Sequence, residues 1–118
     1  MYELIQHLIA FKYACKINHW STDQYSKHLL FDRLNEDIDT WVDEISETYF
    51  MASDNKSVFK ADLLNPKFVN RDLVKSCENI ISLLEKLQND NDTNEGINSL
   101  LSGIEEGFLT KLALAKLS

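Results

Sequence analysis

Apolar residues recur along this chain at three- and four-residue intervals, in four blocks separated by polar turns. From Tyr2 to about His19, Leu4, Ile5, Leu8, Ile9, Phe11, Ala14 and Cys15 fall at helical spacing. Ser21-Thr22-Asp23-Gln24 then supplies helix-start residues, with Ser21 and Gln24 spaced as a capping box. The second helix is predicted from about Gln24 to Met51, with Phe31, Leu34, Ile38, Trp41, Val42, Ile45 and Tyr49 as its apolar stripe. Asn70 is expected to cap a third helix that reaches about Gln88 and buries Leu73, Val74, Cys77, Ile80, Ile81, Leu84 and Leu87. A polar run from Asn89 to Asn94 makes the next turn. Asp92 with Glu95, or Thr93 alone, starts a fourth helix whose stripe is Ile97, Leu100, Leu101, Ile104, Phe108 and Leu112. Gly103 and Gly107, one turn apart on it, would let a neighbouring helix come close. No segment alternates as a strand would.

The connection from Ser53 to Pro66 is long for a compact domain and holds a small apolar patch, Val58, Phe59, Leu63 and Leu64, which suits a short helix or an interface plug. Four amphipathic helices with one long crossover between the second and third match the ferritin-like form of the four-helix bundle. The expected fold is therefore all-α, one ferritin-like four-helix bundle domain over residues 1–118. Composition agrees: with Gly at three positions and Pro at one, the breakers that a many-stranded protein needs are missing.

The net charge of −7, with no cluster of Lys or Arg, leaves no positive face for a nucleic acid and favours cations as partners. Cys15 and Cys77 sit inside apolar periodic segments and read as small buried hydrophobes of a reducing compartment. No apolar stretch approaches membrane-spanning length, and the amino terminus lacks a signal-peptide pattern, so a soluble, cytoplasmic protein is expected.

The second helix concentrates acids on one flank. With His28 at zero and about 100° per residue, Asp32, Glu36, Asp39, Asp43 and Glu47 all fall between about 20° and 100°, beside an apolar stripe centred near about −100°. Like charges one turn apart destabilise a helix by a few tenths of a kcal/mol each, unless cations offset them. A solvated acidic face is the plain explanation. Metal binding is the other, because His19 and His28 bracket the turn into this helix, and imidazole with carboxylate suits iron, manganese or zinc. The pairs His28/Asp32 and Asp43/Glu47 are centred about 22 Å apart along a helix, too far to hold one centre within one chain. Two copies of the helix packed antiparallel about a two-fold near Asp37 and Ile38 would join the upper pair of one to the lower pair of the other.

His19-Trp20, followed by His28, Asp32, Asp43 and Glu47, resembles the ferroxidase signature of the Dps-like mini-ferritins, and the resemblance covers about Lys16 to Tyr49. It implies a ferritin-like protein with an intersubunit di-iron site, in which His19, His28 and Asp32 come from one subunit and Asp43 and Glu47 from its two-fold mate. The interval from His19 to His28 is shorter than the family's, and the basic amino-terminal arm used by DNA-binding members is missing, so direct DNA binding is not expected. The chain is also shorter than typical members, which leaves a homodimer through helix two as the expected assembly, ahead of a closed cage. Short ferritin-like proteins encoded by bacteriophages are similar too, which would put the protein in a host cytoplasm.

The expected function is thus Fe(II) oxidation by peroxide or oxygen. The rival is a non-enzymatic helical module, such as a phage protein that binds a host or virion partner. Among other residues, Glu36 and Asp39 are expected to be solvated acids ahead of auxiliary ligands, His7 a surface or packing histidine, and Trp41 and Tyr49 core. Glu105 and Glu106 could complete a site inside the bundle, but no Glu-x-x-His motif accompanies them. Neither cysteine has a histidine partner suited to nucleophilic catalysis.

Overall fold

The computed structural model describes residues 2–52, 73–90 and 95–117. Within them the chain forms four helices and no strand: α1 (Tyr2–Ser21), α2 (Tyr25–Ala52), α3 (Leu73–Gln88) and α4 (Glu95–Leu117). Each follows the predicted stripe. The connection after Ser53, the Asn70 cap and the Asp92/Thr93 start lie outside the described residues. No described helix is long and apolar enough to cross a membrane.

Cross-helix contacts fix the directions. Lys12 meets Asp39 at 2.6 Å and His19 meets Asp32 at 3.9 Å, so α1 and α2 are antiparallel. Lys111 meets Asp37 at 3.6 Å and Trp41 lies against Gly107, so α2 and α4 are antiparallel as well. Gln88 on Glu105 at 2.8 Å and Lys116 on Glu78 at 3.6 Å do the same for α3 and α4. It follows that α2 and α3 run parallel, on one diagonal of the bundle, with α1 and α4 on the other. Consequently α2 ends at the opposite end of the bundle from the start of α3, and no tight hairpin can join them.

The core draws on all four helices. Leu4, Leu8, Phe11 and Cys15 of α1 meet Leu34, Ile38 and Ile45 of α2, Cys77, Ile80 and Leu84 of α3, and Leu101, Ile104 and Phe108 of α4. Phe11 reaches across the α1/α4 diagonal to Phe108, with ring centroids 5.8 Å apart, and Trp41 stacks obliquely on the same ring at 5.1 Å. Each such side chain, fully buried, contributes about 1.5–3 kcal/mol relative to exposure. His7 is half-buried, with its Nε2 3.7 Å from the Glu3 carboxylate one turn before it.

Of Gly103 and Gly107 on α4, only Gly107 makes a close contact. A Cβ there would run into the Trp41 indole, whereas a Cβ on Gly103 would meet nothing within 4 Å. The expectation for Gly103 is corrected accordingly. Replacing Gly103 with Ala should raise stability by about 1 kcal/mol through helix propensity alone. Gly107→Ala should lower it by about 1 kcal/mol net, since displacing a packed indole costs about 1–3 kcal/mol. Thermal melts of the two variants check this, and a higher Tm in both would show that the indole does not need the bare backbone.

Both cysteines are free and buried. Burial first, and the neighbouring Cys77 second, push the Cys15 thiol far above its usual range. Above about pH 8.5 the thiol of an unfolded chain ionises while the folded one stays protonated. The unfolded state then binds fewer protons, so stability falls as pH rises, by up to about 1.4 kcal/mol per pH unit. Urea midpoints taken from about pH 8 to about pH 10 should fall faster in the wild type than in Cys15→Ala; parallel curves would contradict this.

Candidate metal centre

The turn between α1 and α2 is built from short polar side chains. Asn18 Nδ2 donates to the Ala14 carbonyl at 2.8 Å, and the Thr22 amide donates to the Asn18 carbonyl at 3.0 Å, closing the last turn of α1. The Ser21 hydroxyl donates back to the Ile17 carbonyl at 2.9 Å. Ser21 therefore finishes α1 and does not cap α2, contrary to the capping-box expectation, because back-bonding to its own helix satisfies its hydroxyl first. Thr22 makes a local turn beside it: its Oγ1 accepts the Gln24 amide at 3.3 Å. The Gln24 carbonyl then accepts the His28 amide at 2.9 Å, the first bond of α2.

This tight reversal stacks His19 on His28, with ring centroids 3.8 Å apart and planes 26° from parallel. The bonds are reciprocal. His19 Nδ1–H donates to the His28 carbonyl at 2.8 Å, and His28 Nδ1–H donates to the His19 carbonyl at 2.8 Å. A carbonyl oxygen can only accept, so both rings carry their proton on Nδ1, and both Nε2 atoms keep a lone pair when neutral. That is the tautomer a metal-ligating histidine needs when its other nitrogen is anchored to backbone.

Asp32, one turn beyond His28, brings Oδ1 to 3.9 Å from His19 Nε2. Two ligands each about 2.0–2.2 Å from one cation can lie up to about 4.3 Å apart, so this pair fits a shared ion. His19, only 15% exposed in its side chain, is thus held beside Asp32 despite the short interval to His28. Asp43 and Glu47 lie further along α2, exposed, and make no ion pair or hydrogen bond with another described residue. The structure therefore stacks His19 on His28 and sets Asp32 near His19, and it keeps Asp43 and Glu47 apart from them. No group of three or more His, Cys, Asp or Glu among the described residues is arranged within one chain to hold a metal ion.

The other acids have plainer roles. Asp39 is paired with Lys12 at 2.6 Å, so it is neutralised by α1 and is not a free ligand. Glu36 is exposed. Glu105 accepts a hydrogen bond from Gln88 at 2.8 Å, tying α4 to α3 instead of lining an inner site. Sequence reasoning missed Lys12 because its partner lies on another helix, and it missed the reciprocal imidazole–carbonyl bonds because nothing in residue spacing encodes a tautomer.

The bonding pattern makes a spectroscopic prediction. Long-range nitrogen–proton spectra at a pH where the rings are neutral should show His19 and His28 both protonated at Nδ1; an Nε2–H signal from either would contradict the geometry. In a double-mutant cycle, His19→Ala and His28→Ala should each lose about 1 kcal/mol or more and couple by at least about 0.5 kcal/mol.

Against known families, residues 19–112 match a model described as a family of unknown function, DUF5856. Comparison with curated proteins and with solved structures gives no match. The match begins at His19, runs through every candidate ligand and covers most of the chain, which therefore belongs to this family of unknown function, DUF5856.

Proposed function

We propose that the protein is a ferritin-like, Dps-like homodimer that binds iron between its subunits and oxidises Fe(II). The observation that carries this reading is the pair of imidazoles anchored through Nδ1, with Asp32 beside His19. Two further features support it. α2 and α3 run parallel on a diagonal, the arrangement that a long crossover demands and that a simple up-down bundle lacks. Asp43 and Glu47 are exposed and unpaired among the described residues, on the flank of α2 that carries Asp32.

In the dimer, His19, His28 and Asp32 of one copy would face Asp43 and Glu47 of the other, giving two equivalent sites. Fe(II) is the substrate; manganese or zinc suits the same donors. Each Fe(II) gives up one electron, so two are consumed for each peroxide reduced to water. The residues divide the work. The carboxylates hold the hard cation and offset its rising charge, and the Nε2 lone pairs set its position. The two backbone carbonyls keep the imidazoles from turning away.

A second reading has one observation in its favour: the His19–His28 pair already has a structural role without any metal. On that reading the fold is an interaction module, for example a phage protein that docks on a host or virion partner, and the acids are a solvated face.

Fe(II) oxidation followed by absorbance separates the two. The wild type should oxidise Fe(II) at least ten times faster than Asp43→Ala, which removes one ligand from both sites of a homodimer. Zinc or Fe(II) under anaerobic conditions should raise the Tm by several degrees, since a ligand that binds only the folded state stabilises it. Equal oxidation rates and an unmoved Tm would favour the interaction module.

A further inference from the structure

Five large apolar side chains stand in solvent at one end of the α1/α2 pair: Tyr13 (61% exposed), Ile17 (58%) and Trp20 (69%) on α1, and Tyr25 (76%) and Leu29 (37%) on α2. The first three recur at four- and three-residue steps and make one stripe. The last two are one turn apart, across the tight turn from Trp20, on the helical bearing of Asp43 and Glu47. Isolated exposed apolar residues need no explanation, but a contiguous set marks a surface that is normally covered.

Charge placement identifies the cover. Arg33 is exposed on α2, pairs with no described residue, and lies among acids. Glu44, exposed and equally unpaired, shares its helical bearing roughly three turns further along. A second α2 laid antiparallel about a point near Asp37 and Ile38 brings residues on opposite sides of that point together. Arg33 and Glu44 are within about half a turn of equal distance from it. Antiparallel docking thus sets Arg33 against Glu44 twice, whereas parallel docking would set Glu44 on Glu44 and Asp43 on Asp43. The Arg33–Glu44 pairing is thus available in the antiparallel orientation and not in the parallel one.

We infer that a second copy of this chain covers the apolar stripe of Tyr13, Ile17, Trp20, Tyr25 and Leu29, with its register set by reciprocal Arg33–Glu44 pairs. The inference rests on the two-fold arrangement proposed above but not on its metal. α1 supplies the apolar part of the contact, α2 the charged part.

Sedimentation equilibrium of chelator-treated, metal-free protein tests it, with circular dichroism to confirm that each variant keeps its helix content. The wild type should be a dimer. Ile17→Glu and Arg33→Glu should each weaken the dimer at least ten-fold, and the double variant Arg33→Glu/Glu44→Arg should restore most of that loss. A monomeric wild type, or a dimer that both single substitutions leave unchanged, overturns the inference. Failure of the charge swap to restore association overturns the Arg33–Glu44 register. Fe(II) oxidation is read separately: a metal-free dimer without oxidase activity refutes the iron reading and leaves this interface standing.

Discussion

Two imidazoles close the turn between α1 and α2, and the placing of His19 beside Asp32 follows from how they do it. The last four carbonyls of a helix have no partner within it, and the His19 carbonyl is one of these. His28 Nδ1–H reaches back across the turn and satisfies it. In return the His28 carbonyl takes the Nδ1–H of His19. Each residue thus supplies both a donor and an acceptor to the other, and the two rings stack because both are anchored at the same turn. Rotating either ring would leave two partly buried polar groups without partners, a penalty of about 1–3 kcal/mol for each. The clasp explains why a turn with no glycine can reverse the chain so tightly, and why the two Nε2 atoms stay available.

From that anchored corner the rest of the bundle is laid out by burial. Antiparallel packing of α1 on α2 puts Lys12 beside Asp39, and packing of α4 on α2 puts Lys111 beside Asp37. Lysines from the flanking helices therefore neutralise part of the acidic load of α2. Asp43, Glu44 and Glu47, toward its far end, receive no such help from the described residues. That asymmetry, half of a helix neutralised and half left bare, is what the proposed second copy would resolve. Its imidazole-bearing and Arg33-bearing half would lie on the bare half of the first.

The four helices were legible in the sequence because burial imposes a period. Leu34, Ile38 and Ile45, or Leu101, Ile104 and Phe108, each predict their own face without reference to another helix, and all of them are buried. What depends on two elements at once was not legible. Gly103 and Gly107 look alike in sequence, and only the position of Trp41 tells them apart. Ser21 is a competent cap in sequence, and only the point where α1 stops decides that its hydroxyl turns back to the Ile17 carbonyl. At the site, Asp32 lies 3.9 Å from His19, a distance that depends on how the turn folds α1 back on α2. The pairing of Asp39 with Lys12 had to await the register of α1 on α2.

The chain's two tryptophans occupy contrasting surroundings. Trp41 rests in the notch left by Gly107, against Phe108 in the interior. Trp20 lies out on the surface with the Lys16 ammonium 6.0 Å from its ring. Their emission should therefore differ in wavelength and in access to soluble quenchers. One indole monitors the integrity of the hydrophobic centre and the other the hydration of the α1 surface. Melting and assembly of this protein can thus be followed as separate optical signals without any added label.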